Sequence, residues 1–304
     1  MAFRSGFVSI VGRPNVGKST LTNRMVGQKI AIMSSRPQTT RRIIRGILTT
    51  DEAQLVLVDT PGLHRPRTLL GERLNDQVRE TWSTVDAIGL CLPADETIGP
   101  GDRFIAGQIV ELGRTPIVII VTKADKVSRE TLAERLLDAQ MLAMQLDTDW
   151  SAIIPVSANS GENIDVLIAE FTALMPEGQL LYLDGEVTDE PMEIAVAELI
   201  REAALEGVQD ELPHSIAVTI EEMGMREGRP ADRPLMDIHA NLFVERDSQK
   251  SIIIGKGGSR LKHVGTKARQ GIEHLVGSPV YLDIRVKVAK DWQKDPKLLR
   301  RLGF

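Results

Sequence analysis

One stretch decides the fold of this 304-residue chain: Gly12-Arg13-Pro14-Asn15-Val16-Gly17-Lys18-Ser19. It fits the pattern G-x-x-x-x-G-K-[ST], in which glycines let the backbone wrap a phosphate with its N–H groups turned inward. Residues 7–11 before it form an apolar run typical of a buried strand, and residues 18–25 after it have a helical pattern. We therefore expect Lys18 to contact the β- and γ-phosphates of a nucleotide, Ser19 to bind Mg²⁺, and the helix to direct its positive end at the anion.

Outward from that loop, short apolar runs alternate with amphipathic stretches. Strands are expected at residues 42–49, 55–58, 87–92, 116–121 and 152–156, and helices at 102–112, 130–146 and 163–175. Strands that alternate with helices favour a doubly wound, mostly parallel α/β sheet.

The pattern changes after Pro176 and Gly178, which stop the last of these helices. We expect a nucleotide-binding domain at residues 1–176, a linker at 177–190, and a smaller α+β domain at 191–304. In that second domain the sequence predicts a helix at 192–207, strands at 215–222, 236–245, 252–254 and 281–288, and a helix from a glycine-rich loop to residue 275.

Composition excludes several classes of protein. Hydrophobic residues make up 42% and charged residues 26%, which is ordinary for a globular protein and excludes a mainly disordered or collagen-like chain. No apolar run approaches the roughly 20 residues of a membrane span, and the N-terminus lacks a signal peptide, so the expected compartment is the cytoplasm. The single cysteine, Cys91, lies in an apolar run and is expected to be a buried core thiol.

Charge is distributed unevenly along the chain. The net charge is −5, yet residues 246–304 contain 14 basic and 5 acidic side chains, a balance of +9. Such a basic block on an acidic protein is typical of a surface that binds a polyanion, although a solvated helix face is an equal alternative from charge alone.

Two further motifs follow predicted strands. Asp59-Thr60-Pro61-Gly62 places a carboxylate where a nucleotide enzyme holds Mg²⁺, and Gly62 can bring its N–H against a γ-phosphate. Thr122-Lys123-Ala124-Asp125 offers a carboxylate that could accept from both N1–H and the 2-amino group of guanine, a pair of donors that adenine lacks. Ser157-Ala158, after another strand, could present a backbone N–H to the guanine carbonyl oxygen.

In this order the motifs resemble those of translation-factor-type GTPases. The resemblance implies GTP and GDP as ligands, Mg²⁺ as cofactor, and Thr20 and Leu63 as further nucleotide contacts. Gln38-Thr39-Thr40-Arg41-Arg42 looks like the first switch of these GTPases, which implies Thr40, with Thr39 as the alternative, as the second hydroxyl on Mg²⁺. Lys18, Thr40 and Gly62 would then be the catalytic set.

The chain departs from that family pattern at two positions. Thr122 replaces the usual asparagine; it can still hydrogen-bond the phosphate loop but reaches less far toward the base. Leu63 stands where Ras-like enzymes carry a water-orienting glutamine, so we expect slow intrinsic turnover. Asn15 resembles the loop asparagine of related GTPases that recruit K⁺, which makes K⁺ a further candidate cofactor.

A second glycine-rich loop, Gly255-Lys256-Gly257-Gly258, opens a basic helix. Such a G-x-x-G loop lets a nucleic-acid backbone approach closely. With Ile254 before it and Arg260 and Lys262 after it, the loop resembles that of a bacterial-type KH domain, which implies that these residues bind RNA.

Together the two halves resemble the Era family of GTPases over nearly the whole chain. The resemblance implies a GTP-dependent molecular switch that binds the 3′ end of 16S rRNA and acts in maturation of the 30S ribosomal subunit, as a cytoplasmic monomer. The basic tail leaves weak peripheral contact with the inner face of the cell membrane as an alternative, although no apolar face accompanies it.

The residues alone leave three other functions open. One is a metabolic P-loop ATPase or kinase, and another is a passive RNA-binding module with a vestigial nucleotide fold. The third is a P-loop nucleotide-dependent RNA-binding protein with little or no hydrolysis.

Overall fold

The computed structural model describes residues 2–32, 40–63, 68–208, 212–230, 232–302 and 304. Apart from the stretch 68–70, the chain divides between Asp189 and Glu190 into two compact units. Within the described residues, no helix combines the length and the apolar character needed to cross a membrane.

The first unit alternates strands and helices, as the sequence predicts. Its elements are β1 (Arg4–Val11), α1 (Lys18–Val26), β2 (Ile44–Thr49), β3 (Ala53–Asp59), α2 (Leu69–Trp82), β4 (Ala87–Pro93), α3 (Pro100–Val110), β5 (Ile117–Thr122), α4 (Arg129–Gln145), β6 (Ala152–Pro155) and α5 (Ile164–Leu174). The strands form one six-stranded sheet in the order β2-β3-β1-β4-β5-β6. Only the β2–β3 pair is antiparallel among these neighbours, which confirms a mostly parallel α/β sheet.

Apolar cores cover both faces of this sheet. On β5, Val118 and Ile120 share a core with residues of α1 and α5, whereas Ile117 and Ile119 share another with residues of α2, α3 and α4. This alternation is the period of two that a strand buried on both faces requires. Cys91 is fully buried in the first core, as expected, and its burial raises the pKa of the thiol to about 12.

Residues 177–189, which the sequence assigns to a linker, pack on the first unit. The N–H of Ile47 in β2 donates to the carbonyl oxygen of Val187 at 2.9 Å, so this segment pairs with the edge strand of the sheet. The buried Gln54 side chain accepts from the N–H of Leu181 at 2.7 Å. The extended chain after α5 is therefore fixed along β2 and β3.

The second unit is a smaller α+β structure. Its elements are α6 (Met192–Leu205), α7 (Leu212–Ser215), β7 (Ala217–Met225), β8 (Met236–Val244), α8 (Asp247–Ile254), α9 (Ser259–Val276), β9 (Val280–Val288) and α10 (Pro296–Arg301). The sheet has the order β7-β8-β9, in which β8 is antiparallel to β7 and parallel to β9. Its core joins α6 and α9 to the sheet through Ile200, Ile238, Leu242, Val264 and Ile272, each at most 1% exposed.

Residues 252–254 are helical, so the prediction of a strand there is wrong. The Gln249 side chain accepts from the backbone N–H of Arg246 at 3.1 Å, which satisfies a donor at the start of α8. Ile253 is fully buried while its neighbour Ile252 is 51% exposed, the asymmetry of a helix with one buried face. Gly255, with a φ of 72°, ends the helix.

Four helices, α2, α7, α8 and α10, were not predicted. Helices α7 and α10 have 4 and 6 residues, too few to show a helical period. Helix α2 has 14 residues, and its buried Leu74, Val78 and Trp82 recur every four positions. That spacing is a helical signal that the alternating apolar runs around it obscure.

Candidate nucleotide site and nucleic-acid interface

The phosphate loop connects β1 to α1, the strand–loop–helix context that the sequence predicts. Gly12 and Gly17 have φ values of 147° and 103°, a left-handed region that favours glycine. A Cβ on Gly12 would also lie only 2.8 Å from the carbonyl oxygen of Cys91. Both glycines are therefore required by the backbone path of the loop.

Lys18 lies at the start of α1 with only 6% of its surface exposed. Its Nζ donates to the carbonyl oxygens of Gly12 at 3.1 Å and Arg13 at 2.9 Å, across the phosphate loop. Burial lowers the pKa of the ammonium group, and the nearby Asp59 carboxylate opposes this shift. Since an ammonium group has three N–H donors, one remains for an anion in the loop.

Three oxygen-bearing side chains meet beside Lys18. Ser19 Oγ donates to Asp59 Oδ2 at 2.7 Å and lies 3.0 Å from Thr40 Oγ1. Burial raises the pKa of Asp59 to about 6, although Lys18 and hydrogen bonding to Ser19 pull it down. The buried Asp59 Oδ1 has no hydrogen-bond partner among the described residues. Two hydroxyls and a carboxylate are the hard oxygen donors that Mg²⁺ prefers, so these residues fit the ion.

Residues 60–63, which follow β3, have different surroundings. Gly62 lies so close to the phosphate loop that a Cβ on it would meet the Pro14 nitrogen at 2.8 Å. Thr60 Oγ1 instead donates to the carbonyl oxygen of Ile10 at 3.2 Å. Leu63 is 7% exposed and belongs to the core that contains Val78. Leu63 is therefore a packing residue that can neither donate nor accept a hydrogen bond.

Arg13, in the phosphate loop, directs its side chain at two carboxylates. Its Nε donates to Asp102 Oδ1 at 2.7 Å and its Nη2 to Glu96 Oε2 at 2.9 Å. Asp102 is 1% exposed and also accepts from the N–H of Gly99 at 2.9 Å, at the start of α3. The side chain of Arg13 thus joins the phosphate loop to α3, and only the backbone N–H of Arg13 remains for the predicted contact with a phosphate.

The opposite end of the site is formed by the loops after β5 and β6. Thr122 Oγ1 donates to the carbonyl oxygen of Val16 at 2.6 Å, the hydrogen bond to the phosphate loop expected of it. Ala124 N donates to Val156 O at 3.1 Å and so joins the two loops. Asp125 is exposed, and hydrogen bonding with Ser157 is the main cause that holds its carboxyl pKa below the usual range. A carboxylate that is ionised at neutral pH therefore faces solvent at this end.

A cavity of about 530 Å³ joins the two ends, within the range of roughly 300–1,000 Å³ typical of small-ligand sites. The predicted nucleotide contacts that line it are Pro14, Asn15, Gly17, Lys18, Ser19, Thr20, Thr40, Gly62, Thr122, Lys123, Asp125 and Ala158. The predicted contacts that are not in its lining are Gly12, Arg13, Val16, Asp59, Thr60, Pro61, Leu63, Ala124 and Ser157. Gln38 and Thr39 lie outside the described residues.

Five lining residues were not predicted: Leu21, Ile32, Lys126, Val156 and Asn159. Lys126 and Asn159 directly follow predicted motifs, so adjacency was the available signal. Ile32 lies in a segment that has no motif, and nothing in the sequence marks it.

The second glycine-rich loop leads from α8 to α9. Gly255, Gly257 and Gly258 have φ values of 72°, 58° and 78°, and a Cβ on Gly257 or Gly258 would have no atom within 4 Å. Lys256 and Lys262 are exposed, whereas Ile254 is half-buried. The loop therefore presents an open backbone surface flanked by two exposed lysines.

Arg260 has a different environment from the one predicted for an RNA contact. Its Nη2 donates to the carbonyl oxygens of Glu206 at 2.6 Å and Ala204 at 3.3 Å, at the carboxyl end of α6. A Cβ on Gly255 would lie 2.7 Å from the Arg260 Cβ. Arg260 thus connects the glycine loop to α6 through its own packing.

Comparisons with known proteins identify a GTPase domain and a KH domain in this chain. A family model described as a 50S ribosome-binding GTPase matches residues 7–123, and a KH domain model matches residues 211–293. GTPase Era of Streptomyces coelicolor is 63% identical over 301 residues, which cover 99% of this chain and 95% of that protein.

Two solved structures match the whole chain, each at 34% identity and 99% coverage of both chains. One is Era in complex with MgGDPNP and nucleotides 1506–1542 of 16S ribosomal RNA, with a TM-score of 0.93. The other is a variant of Aquifex aeolicus Era bound to GDP·AlF₄⁻, with a TM-score of 0.92. With a GTPase-type site in one unit and a KH domain in the other, the chain belongs to the Era family of GTPases.

Proposed function

We propose that the first unit binds GTP or GDP with Mg²⁺ in the cavity and hydrolyses GTP slowly. The observation that carries this proposal is the meeting of Ser19, Thr40 and Asp59 beside the buried Lys18, with Asp125 at the other end of the same cavity. The solved Era structures with MgGDPNP and with GDP·AlF₄⁻ support the same ligands.

Each group of residues has a proposed role. Ser19, Thr40 and Asp59 hold Mg²⁺, which when bound neutralises charge on the phosphates. Lys18 and the N–H of Gly62 stabilise charge that develops on the γ-phosphate. The remaining phosphate contacts come from the backbone of residues 12–17 and from Thr20, and Asn15 is the proposed ligand of K⁺.

Hydrolysis is slow in this proposal because Leu63 packs into the core and cannot orient a water molecule. Measurement of phosphate release from the full chain with GTP and Mg²⁺, with and without K⁺, tests this. Release at the level of buffer in both salts would favour the alternative in which the chain binds nucleotide with little or no hydrolysis.

Guanine selection is assigned to Asp125, with Ser157 and Ala158 beside it. Asp125→Asn replaces one of the two carboxylate acceptors by an NH₂ donor, which matches the 2-carbonyl oxygen of xanthine instead of the 2-amino group of guanine, so preference should shift from GTP toward xanthosine triphosphate. Lys18→Ala should abolish binding of both nucleotides. Calorimetry with GTP, xanthosine triphosphate and ATP measures this; an unchanged preference would favour an ATPase or kinase, and unchanged GTP binding by Lys18→Ala would refute the phosphate site.

The second unit, at residues 191–304, is proposed to bind the 3′ end of 16S rRNA through residues 254–258 and Lys262 in maturation of the 30S subunit. The RNA in the solved Era complex supports this partner. We also propose that the protein acts as a monomer in the cytoplasm. Weak contact with a membrane stays a secondary proposal.

Gly257→Asp places a negative charge in the open glycine loop, and RNA affinity that survives this change would refute the proposal of RNA binding.

Nucleotide state and RNA binding are proposed to be coupled through β2. Thr40, at the proposed Mg²⁺ site, precedes β2 by only a few residues, and Val187 of the segment 177–189 accepts a hydrogen bond from Ile47 of the same strand. A change at Thr40 on GTP binding therefore has a short path to the chain that leads into the second unit. Equal RNA affinity with GDP and with a non-hydrolysable GTP analogue would show that the sites are uncoupled.

A further inference from the structure

The C-terminal segment carries five basic side chains that form no ion pair within the described part of the chain: Lys290, Lys294, Lys297, Arg300 and Arg301. We call them the tail cations. All five are exposed. The two acidic residues among them form no ion pair with them in the described part of the chain, and Asp295 accepts from the N–H of Lys297 at 2.7 Å as the cap of α10.

The segment that carries the tail cations is packed against the rest of the second unit. Trp292 is fully buried, and its Nε1 donates to the carbonyl oxygen of Ser215 at 3.0 Å. Its ring stacks on Phe304 with 5.6 Å between centroids. Leu299 of α10 is fully buried as well, and Lys297, Arg300 and Arg301 follow the helical spacing that places them together on the solvent side. A ligand would therefore find these charges in place, with less ordering to lose on binding.

Most other basic side chains of the second unit are used internally. Their partners inside the unit are carboxylates or carbonyl oxygens: Arg201 with Glu198, Arg226 with Asp237, Lys267 with Glu206, Lys287 with Glu221, and Arg260 with the end of α6. The basic residues of 246–304 thus fall into two groups, those that contact partners inside the unit and those that do not. Within the described residues, the basic side chains of 246–304 that form no ion pair and no hydrogen bond to a helix end lie at α8 (Arg246 and Lys250), beside the glycine loop (Lys256 and Lys262) and among the tail cations.

We propose that the tail cations are a second RNA-binding surface, which holds phosphates of the RNA strand beyond the glycine loop. The inference rests on the proposed RNA-binding function. A G-x-x-G loop clamps only about four nucleotides. The RNA in the solved Era complex runs from nucleotide 1506 to 1542, which is 37 nucleotides, so most of such a ligand must lie elsewhere.

The two surfaces lie within reach of one strand. Ser215, which holds Trp292, also accepts a hydrogen bond from the Gln249 side chain at 3.1 Å in the first turns of α8. Helix α8 ends at the glycine loop, and the six residues from Gln249 to Gly255 correspond to a rise of about 9 Å. Ser215, which holds Trp292 of the tail, is therefore separated from the glycine loop by about the length of α8.

RNA is favoured over a lipid surface because neither leucine of α10, Leu298 or Leu299, is exposed. Leu299 and Leu302 of the same segment are at most 4% exposed. A helix that lies in a membrane interface needs an exposed apolar face beside its charges. Phosphates of an RNA strand need only the charges.

A matched pair of double variants tests the proposal in the full-length protein. Arg300→Gln/Arg301→Gln removes two tail cations. The control Arg229→Gln/Arg233→Gln makes the same chemical change at two exposed arginines in the β7–β8 loop. That loop lies at the end of β8 opposite to Val244, where the C-terminal segment begins. Two synthetic RNAs serve as probes. One has 37 nucleotides with the 1506–1542 sequence, and the other is a single strand of four nucleotides whose binding is measured by NMR titration.

The tail variant should bind the 37-nucleotide RNA more weakly, by roughly 25-fold near 0.1 M salt, because two phosphate contacts are lost. The slope of log affinity against log salt should fall by about 1.4 to 1.8. Affinity for the four-nucleotide strand should not change, and the control variant should match the wild type with both RNAs. Unchanged hydrogen–deuterium exchange of the peptide that contains Trp292 would show that the tail remains folded. If that exchange became faster, the single variant Lys297→Gln should lower the slope by about 0.7 to 0.9 instead.

Equal effects of the tail and control variants on the long RNA would overturn the proposal. So would a tail variant that keeps its RNA affinity but loses binding to phosphatidylserine vesicles, because the tail cations would then serve a membrane. Failure of the RNA function itself is separate: in that case Gly257→Asp would leave the affinity for both RNAs unchanged.

Discussion

Arg13 holds the phosphate loop to α3 through two carboxylates that differ in burial, and this difference makes a quantitative prediction. Asp102 is 1% exposed and Glu96 is 49% exposed, measured on their side chains. We predict that Asp102→Ala destabilises this region much more than Glu96→Ala does, although each variant removes one carboxylate partner of the same guanidinium.

The expected magnitudes follow from the contacts. Asp102→Ala loses a charge-assisted hydrogen bond, worth about 1.5–3 kcal/mol, and leaves the Gly99 N–H without its cap, worth about 0.5–2 kcal/mol. Because Arg13 is 28% exposed and can regain water, we expect a total of about 2–3 kcal/mol. Glu96 forms a surface pair, for which about 0–1 kcal/mol is typical.

Hydrogen–deuterium exchange of the full-length protein measures both variants. Peptides that cover the phosphate loop and the start of α3 should exchange roughly 30- to 150-fold faster in Asp102→Ala, the equivalent of that free energy. In Glu96→Ala the acceleration should stay below about fivefold. Equal acceleration in the two variants would refute the reasoning, because burial would then not decide the strength of the pairing.

Three shorter predictions concern the rest of the first unit. Thr122→Val keeps the shape of the side chain but leaves the buried Val16 carbonyl without its donor, so GTP affinity measured by calorimetry should fall by about tenfold or more; an unchanged affinity would show that the bond does not support the loop. Gln54→Leu removes the acceptor that holds Leu181, and limited proteolysis should cut residues 177–189 faster, whereas an unaltered rate would mean that the β2 pairing alone suffices. Ser19→Ala should weaken the dependence of GTP binding on Mg²⁺, and a magnesium titration identical to that of the wild type would remove Ser19 from the proposed metal site.

The nucleotide site could be predicted from the sequence because its geometry is set locally. Gly12 and Gly17 are where the backbone needs a positive φ, and Lys18 and Ser19 follow at the first positions of a helix. The other motifs follow parallel strands, and the carboxyl ends of such strands meet at the same edge of a sheet. Asp59 and Asp125 could therefore be assigned to one site without knowledge of any contact.

Partners that are distant in sequence could not be predicted. Arg13 and Asp102 are 89 positions apart, and Arg260 and Glu206 are 54 apart. Both arginines lie in motifs where a basic side chain suggests contact with a phosphate. The structure uses each guanidinium for internal packing, since a neighbouring carboxylate or helix end is always present and competes with any external anion.

Ion pairing explains why the positive charge of the second unit could not be assigned to RNA binding from the sequence alone. Lys267 and Lys297 are both exposed lysines on helices, yet Lys267 contacts Glu206 while Lys297 has no ion-pair partner among the described residues. The difference arises from the chain around them: α9 packs beside the end of α6, which carries an acidic residue, whereas α10 turns its leucines inward and its basic residues outward. A count of basic residues therefore overestimates the surface that can bind RNA. The salt dependence of RNA affinity gives the number of phosphate contacts, and this number should match the basic residues without an ion pair rather than all 14 basic residues of 246–304.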